Sequence, residues 1–224
     1  LPDSCAGNSA TVTFSDNTTV QVTLKEYCGL HVVTTNGSSS YKNGALTLTT
    51  AGDYTISMGD GFSETTDHII VSAASPTDTV KITLNGVNIL TDSAALKITG
   101  DAPVCVMTAS GTTNSLTSGE NYAGLQKSNT ACILILGGSG SLTATGGFNG
   151  AGIGGGNQGA GTHITITGGI LTATGGSYAA GIGGGNGGAG NHITITGGTL
   201  TATGGYGAAG IGGGYHGAGS NITI

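Results

Sequence analysis

From Ala131 to Ile224 one pattern of 29 residues runs three times and breaks off in a fourth. His163-Ile-Thr-Ile-Thr-Gly-Gly169 returns as His192-Ile-Thr-Ile-Thr-Gly-Gly198 and stops at Asn221-Ile-Thr-Ile224. Between these stand Leu142-Thr-Ala-Thr-Gly-Gly147 and its copies from Leu171 and Leu200. Ala-Gly-Ile-Gly-Gly-Gly follows each, from Ala151, Ala180 and Ala209. Each repeat therefore carries three short runs of period-two alternation, split by Gly, Asn and Ser. That predicts three strands per turn. A fixed period of this length is the mark of a solenoid.

No repeat can close a core alone, because Ile164, Ile166, Leu171, Ala173 and Ile182 make only one small apolar triangle. Stacking repeat on repeat buries these triangles as ladders and pairs every strand with neighbours above and below. The expected fold is an all-β, right-handed parallel β-helix. A collagen-like fold is excluded, since Gly is not at every third position and Pro is scarce.

Degenerate rungs precede the regular ones. The expected first-strand ladder runs Leu46/Leu48, Ile82/Leu84, Val104/Val106, Ile133/Ile135, Ile164/Ile166, Ile193/Ile195 and Ile222/Ile224. About seven levels at roughly 4.8 Å give a core about 30 Å long. Thr11–Phe14 and Val20–Leu24 alternate around a turn and predict a hairpin, with a third strand at Leu30–Thr35. Residues 1–40 read as a cap over the first rung, whose open edge would otherwise recruit other chains. Residues 41–130 are the degenerate rungs and 131–224 the regular ones, continuing past 224 or truncated there.

Charge is sparse and one-sided. All sixteen charged side chains precede Ser128, and there is no Arg. This excludes nucleic acid, which needs a cationic footprint. No apolar run is long enough to span a bilayer. A Lys-poor, Gly/Thr-rich chain with four cysteines suggests export, where disulfides are permitted. Cys5 and Cys28 bracket the cap and are the expected pair. Cys105 and Cys132 fall on neighbouring rungs, offset diagonally, where a second bond is an alternative. Their spacings match no zinc pattern.

Several segments of the degenerate rungs resemble one family. They are Tyr41-Lys-Asn-Gly-Ala-Leu-Thr-Leu, Gly52-Asp-Tyr-Thr-Ile-Ser, Val80-Lys-Ile-Thr-Leu-Asn-Gly-Val-Asn-Ile and Gly111-Thr-Thr-Asn-Ser-Leu-Thr. They are similar to secreted bacterial carbohydrate-binding β-helix proteins, related in fold to pectate lyases. The likeness covers roughly residues 41–145. It implies binding of cellulose or acidic pectic polymers, with calcium and without cleavage. The Ala-Gly-Ile-Gly-Gly-Gly tail resembles repeats of bacterial surface proteins.

The residues offer candidate sites beside that resemblance. Aligning the rungs puts Asp60, Glu64 and Asp67 on one level, Asp92 on the next and Glu120 above. Converging carboxylates suit Ca²⁺, which takes six to eight oxygens; solvated loop acids are the plain alternative. The same loops carry Tyr122, Phe148, Tyr178 and Tyr206, whose faces can stack on sugar rings or plug gaps between glycine-rich loops. His163 and His192 stack at one corner as a ladder, two ligands being too few for zinc. Outward positions Cys105, Met107, Leu134 and Leu136 form an apolar patch for the hairpin or a partner chain.

Catalysis finds no support. The resembled lyases abstract a proton with Arg or Lys beside calcium; Arg is absent here, and Lys81, Lys97 and Lys127 sit in no evident acid-rich strand pair. Facing carboxylates are missing from the neutral half. The expected function is extracellular binding of polysaccharide at a bacterial cell surface. An adhesin stalk or self-assembling filament is the alternative, with Ile222 and Ile224 offering an open apolar edge for end-to-end contact. Ice binding by outward Thr-x-Thr pairs is the third.

Overall fold

The computed structural model describes residues 8–13, 19–27 and 29–224, with side chains described from residue 29 onward. It is an all-β solenoid of about six turns with three strands per rung and antiparallel pairs at its N-terminal end. The three sheets run along the stack. The first sheet starts with Asn8–Thr13, Thr19–Tyr27 and Leu30–Thr34, all antiparallel, and Leu30–Thr34 then pairs antiparallel with Gly52–Met58. From there Val80–Asn85, Val104–Thr108, Leu134–Gly138, Gly161–Ile166, Gly190–Ile195 and Gly219–Thr223 follow in parallel. The predicted hairpin and third strand are therefore present.

The second sheet stacks Asn88–Leu90, Thr113–Thr117, Ser141–Thr145, Ile170–Thr174 and Thr199–Thr203. The third begins with an antiparallel hairpin, Ser39–Lys42 on Ala45–Leu48. It continues in parallel through His68–Val71, Leu96–Ile98 and Leu125–Lys127 to the Ile-Gly pairs at 153, 182 and 211. Period two then does what the sequence implies. Ile164, Ile166, Leu171, Ala173 and Ile182 are all at most 2% exposed, and each sits in a ladder of like residues. Burial of such ladders at roughly 25 cal/mol per Å² is the main stabilising term.

Two parts of the expected register are corrected. Leu134 and Leu136, not Ile133 and Ile135, pair with Ile164 and Ile166 and fill the core. Ile133 is 47% exposed and Ile135 half-buried. Cys132–Leu136 is apolar throughout, so alternation cannot choose its parity, and a one-residue slip turns every side chain over. Secondly, Ala45–Leu48 pairs with His68–Val71 in the third sheet. The lowest parallel level of the first sheet is instead Tyr54 and Ile56, opposite Ile82 and Leu84. Both segments alternate equally well; the hairpin from Ser39 decides which takes which sheet.

Candidate functional site

The loops between second and third sheets, at residues 146–150, 175–179 and 204–208, carry the exposed rings. Each is tight because glycine backbone lies against the rung below. At the repeat spacing Phe148, Ser177 and Tyr206 are equivalent, whereas Tyr178 matches Asn149 and Gly207. Tyr178 thus stands one residue out of column. The amides of Tyr178 and Tyr206 donate to the Phe148 and Ser177 carbonyls at 3.3 and 2.6 Å. This offset shapes the surface. Phe148 and Tyr178 meet edge to face at 5.3 Å and 76°, and Tyr178 and Tyr206 at 6.3 Å and 88°. The rings form an interlocked strip rather than the flat ledge expected.

Tyr215 completes it, and sequence reasoning missed this residue. Its ring lies 5.4 Å from Tyr178 and 6.1 Å from Tyr206, with His216 at 3.8 Å. Gly207 makes the room, since a Cβ there would lie 2.7 Å from the Tyr215 ring. Tyr215 occupies the position that Asn157 and Asn186 hold in earlier repeats, a column that aligned repeats display. Along the strip runs a second unforeseen feature, a ladder of amides. Asn149 donates to Asn121 at 2.9 Å, and Asn186 donates to Asn149 at 3.0 Å. The strip thus offers ring edges and faces beside amide groups. Phe148 is 50% and Tyr206 75% exposed, while Tyr178 and Tyr215 are half-buried.

Tyr122 lies at the near end of the strip. The Lys97 ammonium stands 6.0 Å over its ring, within cation–π range. A cavity of about 340 Å³ opens beside it, lined by Asn121, Gln126, Ser128 and Asn157 among others.

The acids predicted to hold calcium do not converge. Asp60, Glu64, Asp92 and Glu120 are exposed, while Asp67 turns inward and is 7% exposed. Among the described residues no three His, Cys, Asp or Glu side chains come together as a metal site. The five-carboxylate set therefore does not fit a calcium cage. Asp67 instead accepts a hydrogen bond from the Tyr41 hydroxyl at 3.2 Å, and its Oδ2 has no hydrogen-bond partner among the described residues. Burial pushes its carboxyl above the usual range, against the pull of the Tyr41 bond, the His68 charge and Thr65.

The cysteines also depart from expectation. Cys5 and Cys28 lie outside the described residues. Cys105 and Cys132 are free, so the alternative bond between them is not formed. Cys105 faces outward opposite Ile135, whereas Cys132 is 4% exposed at the corner before Leu134. Burial raises both thiols. Beside Cys132 the ammonium of Lys127, only 1% exposed, donates to the Asn129 carbonyl, and burial lowers its pKa.

The outward apolar patch changes members. Cys105 and Met107 do face out, but Leu134 and Leu136 are buried, and Ile133 and Ile135 replace them. Ile222 and Ile224 are 37% and 84% exposed. His163 and His192 stack as expected, at 4.9 Å and 2°. Among the described residues no helix is long and apolar enough to cross a membrane.

A family model described as "Carbohydrate-binding domain-containing protein" matches residues 42–211. The chain belongs to this family. The match spans the degenerate and most of the regular rungs, and so includes every ring of the strip except Tyr215. No curated protein and no solved structure matches. A carbohydrate-binding family agrees with a site that has rings and amides on its surface.

Proposed function

We propose that this protein holds polysaccharide without cleaving it, outside the cell, along the strip from Tyr122 to Tyr215. The observation that carries the reading is the run of part-exposed rings flanked by the Asn121–Asn149–Asn186 ladder. Sugar recognition asks for that pairing of chemistries. A ring covers the C–H face of a pyranose, and amides or tyrosine hydroxyls take its equatorial hydroxyls. The strip is open and continuous over several rungs, which suits a polymer better than a free monosaccharide. Its surroundings carry no charge from Ser128 onward, so a neutral glycan is accommodated along most of its length. Lys97, over Tyr122, is the cation available to an acidic unit at the near end.

Retention on insoluble and soluble glycans tests this. Phe148→Ala with Tyr206→Ala is expected to weaken retention with unchanged circular dichroism. Undiminished retention in the double variant would remove the strip from consideration. The same assay with and without chelator decides whether an ion takes part, and undiminished retention in chelator would exclude one.

A further inference from the structure

The second sheet carries a different surface on its outward face. Leu142, Ala144, Leu171 and Ala173 point in and are buried. The residues between them point out and align strictly, Ser115 on Thr143, Thr172 and Thr201, with one parallel column on each side. Over the four strands from Thr113–Thr117 to Thr199–Thr203 these are twelve positions, eleven Ser or Thr and one Ile, Ile170. None is charged and none is aromatic. The grid repeats at roughly 4.8 Å across the strands and roughly 6.6 Å along them.

Repetition of the chain does not account for this composition. Thr113–Thr117 lies outside the regular repeat, yet its outward residues are Thr, Ser and Thr. On the same rung the first sheet turns Cys105 and Met107 outward. The hydroxyls are also free of the backbone. Just past the ends of the first-sheet strands, Thr167 and Thr196 bond back onto the carbonyls of Leu136 and Ile166 at 3.1 and 3.3 Å. On the grid, among the described residues, only Ser141 does so, onto the Thr112 carbonyl at 3.4 Å. The remaining hydroxyls are left to solvent.

A face with a two-dimensional period is matched in full only by a ligand that has one. Each Thr sets a methyl and a hydroxyl at a fixed place, and its β-branching leaves little rotamer freedom to lose. Water held on such points is ordered at small entropic cost. Without rings the grid lacks the stacking that a sugar surface asks for, and without charge it draws no ion. We propose that this face binds the surface of ice. The proposal is independent of the glycan strip, which occupies the neighbouring loops.

Single ice crystals grown in micromolar full-length protein test it. Faceted growth is expected, lost in Thr172→Lys and kept in Thr194→Lys, whose residue faces outward on the first sheet. Thr201→Lys, exposed on the last grid strand, gives the same reading should Thr172→Lys fail to fold. Unshaped, disc-like crystals with the unaltered protein would overturn the proposal. So would equal shaping by the second-sheet and first-sheet variants. Loss of retention on crystalline polysaccharide in Thr172→Lys, without ice shaping in the parent, would reassign the face to a polymer and also overturn it.

Discussion

The imidazoles of His163 and His192 lie 4.9 Å apart and within 2° of parallel. The stack is anchored at both ends. His163 Nδ1 is 3.0 Å from the Thr130 carbonyl, and His192 Nε2 is 3.1 Å from the Asn221 amide. His163, His192 and Asn221 hold φ near +54°, at 55°, 54° and 53°. An L-residue pays for that conformation by a Cβ clash with the backbone, which Asn and His tolerate better than most.

The backbone therefore sets what this corner accepts. His192→Gly removes the clash and the stack together, and stability is expected to change little. His192→Val keeps a side chain but places a β-branched residue at positive φ. A loss of about 1–2 kcal/mol is expected. Denaturant titration of both variants checks this. Equal losses would mean that stacking, not φ, governs the position.

Tyr178 and Tyr206 belong to one strip but do different work. Tyr178 touches Phe148, Tyr206 and Tyr215, and each aromatic pair contributes about 0.5–1.5 kcal/mol beyond area burial. Tyr178→Ala is thus expected to destabilise by on the order of 2 kcal/mol. Tyr206, at 75% exposure, is expected to lose glycan retention with little change in melting. A Tyr206→Ala variant that melts as early as Tyr178→Ala would show that the strip is packing alone.

Much of this fold is legible in the sequence because Ile and Thr alternate without interruption from Ile164 to Thr167 and in the copy from Ile193 to Thr196. Where alternation stops, parity is lost, as in Cys132–Leu136. Local pattern also cannot choose between sheets, which is why Ala45–Leu48 lies in the third sheet and not the first, where Gly52–Met58 stands instead. Loop side chains are harder still. Asp67 shares a column with Asp60 and Glu64 in sequence, yet it turns inward to Tyr41 on a strand that comes from a different hairpin. The edge-to-face arrangement of the rings follows from a one-residue offset at Tyr178, visible only when the loops are counted against the repeat.

Close backbone stacking gives a sharper prediction at Gly183. Its φ is +130°, and an added Cβ would lie 2.0 Å from the Gly212 carbonyl oxygen. That oxygen is backbone and cannot swing away. Gly154 and Gly212 share its column and conformation, so one rung cannot shift without its neighbours. Gly183→Ala is expected to cost more than the ~0.5–3 kcal/mol of an ordinary substitution. A variant with native melting would mean that the rungs separate more easily than parallel pairing suggests.

Asp67 makes the fold sensitive to pH, with a sign opposite to that of a salt-bridged carboxylate. Burial raises its folded pKa above the ordinary 3.8, so the native state binds the proton more tightly than the unfolded chain. Stability from this group is full below 3.8 and is lost as pH rises through the folded value. Above that value the buried charge, with Oδ2 unpartnered among the described residues, is a standing cost. Asp67→Asn removes the titration, so the stability of the parent relative to this variant is expected to climb on acidification. His68 acts in the other direction. Burial first, then Lys97, lower its pKa against the pull of Asp67, so protonating it in acid costs stability. The comparison is therefore made with His68→Asn in both proteins. Denaturant unfolding at a series of pH values checks it. A difference that is flat with pH would show that Asp67 titrates as an ordinary carboxylate, and a difference that falls on acidification would reverse the assigned sign.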